Sequence, residues 1–160
     1  MSIEWDKVLP SVIGALTGGT MSLLGSYFSA RRQAKKDEKR RKYEERREEK
    51  IALNSVKNEI KFNHNHYKHY KIILGKTKHD SLDLSKFSKK LNVKMDKWEK
   101  HSDTIENIEE LSCLERLQNL YRNIYNDVNF NLIAVKEVNE FLEEASQLIE
   151  EMEKIIQCYE

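Results

Sequence analysis

Apolar side chains recur from Leu53 at alternating three- and four-residue steps: Leu53, Val56 and Ile60, then Tyr67, Tyr70 and Leu74, with Asn63 in register between them. This is the spacing of one helix face packed along its length. It predicts a helix that stops at Gly75. A second seam runs through Leu114, Leu117, Tyr121, Ile124, Val128, Asn131, Val135, Val138, Leu142, Ala145, Ile149, Met152, Ile156 and Tyr159, and thirteen of these fourteen positions are apolar. Leu120, Ala134, Phe141, Leu148 and Ile155 widen that stripe, so each helix should touch more than one neighbour. Residues 129–134 are apolar on nearly every side, which marks either the bundle's middle or a tight turn between two helices; the lack of Gly and Pro favours one continuous or slightly kinked helix there. Between the seams, Leu82, Leu84, Phe87, Leu91, Val93 and Trp98 anchor one or two short helices, with a turn near 78–81. Ser102 or Asp103 can cap a following helix, with Glu106 reaching back.

Residues 8–30 carry no ionisable side chain. As a helix this stretch reaches roughly 34 Å, against a hydrocarbon core of about 30 Å. Trp5 flanks one end, Tyr27 and Phe28 the other, and basic residues crowd in only after Ala30. These features predict a single N-terminal transmembrane helix in the inner (cytoplasmic) membrane, N-terminus outside. The basic residues follow the run, and no A-x-A-like site appears, which argues against a cleaved leader. Gly14, Gly18, Ser22 and Ser26 fall at four-residue intervals and predict a small-residue face for self-association. Thr17, Thr20 and four serines dilute the run.

Charge sharpens the division. The formal net charge is only +1, yet residues 31–50 hold eleven Lys/Arg against six Asp/Glu, whereas residues 101–160 hold four against fourteen. Residues 31–50 have no apolar face, so they form a marginal helix supported by intrahelical pairs such as Glu38 with Lys42. Arg31, Arg32, Lys35, Lys36, Lys39, Arg40, Arg41 and Lys42 would meet anionic lipid beside the span. Nucleic acid is the competing partner for the basic stretch 31–100. Cys113 and Cys158 have neither metal-ligand nor redox spacing and fit a reducing compartment.

Chemistry is sparse. No phosphate-binding loop, dinucleotide fingerprint, nucleophile elbow or zinc-binding pair is present. In "NHNHYKHY", His66 and His69 share a helix face and His64 does not, so metal ligation would need a partner from another helix. The pairs Glu143/Glu144 and Glu150/Glu151 read as the solvated face of the last helix. The sequence brings no nucleophile and base together, and it implies no metal, no cofactor and no enzyme. The two seam asparagines, Asn63 and Asn131, are expected at one level of an antiparallel bundle, bonded to each other or to Tyr67 or Tyr121.

The segments "EIKFN" (59–63) and "LQNLYRNIYNDVN" (117–129), with Trp98, resemble small uncharacterised prokaryotic or phage proteins. Those have one N-terminal span, a charged stalk and a short cytoplasmic helical bundle. The resemblance implies an all-α chain with an anchor at 1–30, a polybasic stalk at 31–50 and an antiparallel bundle or coiled coil at 51–160. The resemblance implies no activity; the two seams and the basic stalk lead to a membrane-anchored, cytoplasm-facing interaction or scaffold protein. Its expected partners are the lipid bilayer, further copies of itself (a homo-oligomer joined through span and bundle) and a cytoplasmic protein. The alternatives are a holin-like or phage-defence pore and a nucleic-acid binder.

Overall fold

A computed structural model describes residues 5–77, 81–83, 92–109, 111–130 and 132–159. Side chains are described from Met21 onward, except at 23–24, 77, 81–83, 130 and 132–133. Among the described residues the fold is all-α, with four helices: α1 (Trp5–Thr77), α2 (Asp96–Glu106), α3 (Leu114–Phe130) and α4 (Val135–Gln157). Two three-residue strands, β1 (Ser81–Asp83) and β2 (Leu132–Ala134), pair antiparallel with Leu82 opposite Ile133. The chain divides into two units, Met1–Glu45 and Arg46–Glu160.

The second unit has one core. The predicted first seam is its spine: Leu53, Val56, Ile60, Asn63, Tyr67, Tyr70 and Leu74 are all buried. Contacts fix how the helices run. Lys61 meets Glu153, His64 meets Ser146 and Tyr67 stacks on Phe141, so α4 lies antiparallel to α1. Tyr121 bonds Glu59 and Asp127 bonds Tyr67, so α3 runs parallel to α1. Tyr159, at the far end, is bonded to Glu49, and burial and that carboxylate push its hydroxyl up to about 12.

Three expectations change. Residues 129–134 do not continue one helix: 132–134 form β2, and the backbone of β1 supplies pairing that an isolated apolar stretch lacks. Glu137 then caps the new helix start, its Oε2 accepting from the Ala134 amide at 2.8 Å. With the helix broken, the phase of α4 is free of that of α3. The buried positions become Val138, Phe141, Ala145, Leu148, Met152 and Ile156, while Leu142 and Ile149 move to the flank and Val128 is exposed. Ser102 and Asp103 also do not start a helix. They lie in the last turns of α2, where the Asn107 side chain donates to the Asp103 carbonyl at 2.7 Å. The turn at Gly75 arrives late, since α1 runs to Thr77.

The membrane reading is corrected. Among the described residues no helix is long and apolar enough to cross a membrane. Serine, threonine and glycine dilute the uncharged run, which lies on the same 73-residue helix as the charged stretch behind it. The transmembrane helix and stalk of the expected fold class, the single-pass inner-membrane location, the outward N-terminus, the bilayer as partner and the pore alternative go with it. Gly14 and Gly18 lie in α1 at positions whose side-chain surroundings are outside the described residues, as does Asn131 altogether.

Candidate functional site

Two polar residues sit one turn apart within the buried face of α1. Glu59 is 4 % exposed and Asn63 is fully buried. The Asn63 amide pairs with the backbone of Lys94 as a strand would: Nδ2 donates to the carbonyl at 2.7 Å, and Oδ1 accepts from the amide at 2.8 Å. This holds the irregular residues just ahead of α2. Glu59 then takes the helix end. Its Oε2 accepts from Lys97 N at 2.8 Å, and its Oε1 from Trp98 N at 3.0 Å and from the Tyr121 hydroxyl at 2.8 Å.

The reason is local. Met95 occupies the N-cap of α2 and has no side-chain oxygen to offer, so the orphan amides of the first turn need an acceptor from elsewhere. A carboxylate at the positive end of the helix dipole supplies one, and three donors offset much of its desolvation. Burial, then the charge of Glu59, raises the Tyr121 hydroxyl far above its usual range, so it stays protonated and donates. Trp98 stacks on Tyr121 with centroids 4.9 Å apart, and Lys94 Nζ lies 4.2 Å over the Phe62 ring. The segment "EIKFN" is therefore a clamp. The sequence signal was a glutamate inside the apolar stripe, four residues before the seam asparagine.

A second polar centre lies between α3 and α4. There the Tyr67 hydroxyl donates to Asp127 Oδ2 at 2.5 Å beneath a cleft of about 550 Å³. Burial pushes Asp127 up to about 6; the Tyr67 hydrogen bond opposes this and the charge of Glu137 adds to it. Asn119, Asn123, Glu137, Glu140 and Glu144 line the walls. Arg116, at one end, is engaged by Glu144 at 2.6 Å, Glu151 at 2.8 Å and Gln147 at 2.9 Å.

One nucleophile–base contact escaped sequence reading. His64 Nε2 lies 3.1 Å from Ser146 Oγ. Ser146 Oγ also donates to the Leu142 carbonyl at 2.8 Å, which competes with the ring for the one hydroxyl proton. Burial and Lys68 lower the His64 pKa, consistent with a neutral ring. His66 Nδ1 is directed to the Phe62 carbonyl at 3.0 Å, so the histidine cluster does not converge. Among the described residues no three His, Cys, Asp or Glu side chains are placed to hold a metal.

In the first unit, Ser22 and Ser26 are exposed, and Ser26 Oγ donates to the Ser22 carbonyl at 2.8 Å. Met21, Tyr27, Phe28 and Tyr43 are exposed as well. Arg31, Arg32, Lys35, Lys36, Lys39, Arg40, Arg41 and Lys42 are all solvent-facing. The expected Glu38–Lys42 pair forms at 3.3 Å, and Arg40 lies 3.8 Å from both Asp37 and Glu44. Such exposed pairs contribute little, about 0.3–0.5 kcal/mol each.

No protein-family model, curated protein or solved structure matches the chain. The resemblance to single-span prokaryotic proteins is corrected on the same grounds as the span: no spanning helix occurs among the described residues.

Proposed function

We propose that this chain is a non-catalytic helical interaction protein that assembles with further copies of itself through the first half of α1. One observation carries the reading: residues 21–45 form a helix whose described side chains, Met21, Tyr27, Phe28 and Tyr43 included, are exposed almost without exception. Most helices in proteins take their stability from tertiary packing of one face, and short-range ion pairs alone leave a helix marginal. Burying those aromatic and aliphatic side chains against a second copy gains roughly 25 cal/mol per Å² of apolar surface. The stripe of Gly14, Gly18, Ser22 and Ser26 would let two such helices approach closely. The second unit supports a binding role differently: its buried polar side chains, Glu59 and Asn63, are engaged in holding the bundle together.

Sedimentation equilibrium of the full chain tests this. Wild-type protein should weigh as a dimer or larger, and Tyr27→Ser with Phe28→Ser should shift it toward monomer. Gly18→Ile should do the same, whereas Leu24→Ile should not. A wild-type chain that stays monomeric at every concentration would overturn the reading.

A further inference from the structure

We infer that the basic stretch of α1, residues 31–42, docks into the acidic cleft between α3 and α4 of a second copy of this chain. The inference rests on self-assembly and names a second, charge-driven contact within it.

The two surfaces are complementary in sign. Residues 31–42 carry eight Lys/Arg against Asp37 and Glu38, all on a helix open to solvent. The cleft is lined by Asp127, Glu137, Glu140 and Glu144, with Arg116 at one end and Lys136 paired to Glu140 at 3.5 Å. Their sizes are compatible too. Twelve helical residues span about 18 Å, longer than the roughly 10 Å that separates Glu137 from Glu144 along α4. The cleft of about 550 Å³ has room for side chains reaching inward.

Among the described residues no cation contacts Asp127 at the floor of the cleft. Asp127 is held by a neutral Tyr67 hydroxyl, and its nearest charged influence is another carboxylate, Glu137. Arg116 is already held by Glu144 and Glu151. An incoming lysine or arginine would offset the cost of Asp127's burial and its repulsion from Glu137 by direct charge pairing. On the donor side, Lys35 and Lys39 lie one turn apart, exposed, and outside the ion pairs seen at Arg40 and Lys42. Two copies can exchange this contact reciprocally, which closes a two-fold dimer.

Charge reversal with complementation tests it on the full chain. Asn123→Lys with Glu140→Lys changes opposite walls of the cleft at exposed side chains; Lys35→Glu with Lys39→Glu changes the helix. Each double variant alone should self-associate about tenfold more weakly than wild type, and an equimolar mixture of the two should recover association. Wild-type association should also weaken as salt rises from about 0.05 to 0.5 M. Variants that associate like wild type, a mixture that fails to recover, or salt-insensitive assembly would each overturn the docking while leaving apolar pairing through α1 in place. A wild-type chain that is monomeric at low salt would overturn both.

Discussion

Glu59 and Trp98 are 39 residues apart, yet the Glu59 carboxylate accepts the Trp98 backbone amide at 3.0 Å and so closes a helix that has no cap of its own. Removing it should therefore leave three donors unmet: Lys97 N, Trp98 N and the Tyr121 hydroxyl. Glu59→Ala is expected to cost about 2–4 kcal/mol, and Glu59→Gln, which keeps one oxygen, about 1–2. Urea unfolding of both variants checks this. Equal losses would show that the charge, rather than the count of acceptors, carries the cap.

Asn63→Leu would stabilise a seam in which the amide is only a register device. The structure reverses that expectation, because both atoms of the amide serve the Lys94 backbone. The substitution should destabilise by about 1–3 kcal/mol and speed hydrogen exchange at the Lys94 amide. Unchanged exchange there would remove the clamp.

Asp127 makes stability depend on pH with an unusual sign. Its carboxyl is raised from 3.8 to about 6 by burial, against the Tyr67 hydrogen bond and with the charge of Glu137. A raised folded value means the folded state binds the proton more tightly than the unfolded chain does. Its contribution is thus full below about pH 4 and lost as pH rises through 6. For a partly exposed group the span should be about 1 kcal/mol after solvent screening. Asp127→Asn keeps an acceptor for Tyr67 and should remove this component. The measurement is the wild-type minus variant unfolding free energy between pH 4 and 7, and a flat difference would contradict it.

Phe141 and Leu142 report the phase of α4. Phe141 stacks on Tyr67 with centroids 3.8 Å apart and is buried, while Leu142 is only half-buried. Phe141→Ala should cost about 3–4 kcal/mol and Leu142→Ala about 1, read by thermal or urea unfolding. The opposite order would restore the seam expected from the sequence.

Much of the bundle is written in local pattern. The spacing of Leu53, Val56, Ile60, Tyr67 and Leu74 identifies the buried face of α1, because helical periodicity is short-range and survives any arrangement of neighbours. The Glu38–Lys42 pair is legible for the same reason. What tertiary structure alone decided are the interactions whose partners lie far along the chain. Nothing near Met95 shows that Glu59 will cap α2, and nothing near residues 132–134 shows that β1 will draw them out of a helix. The phase of α4 follows from that break, and the Ser146–His64 contact from the antiparallel course of α4 along α1. A buried glutamate or asparagine states that a partner is required, since an unmatched one is costly. Only the packed chain selects which backbone provides it.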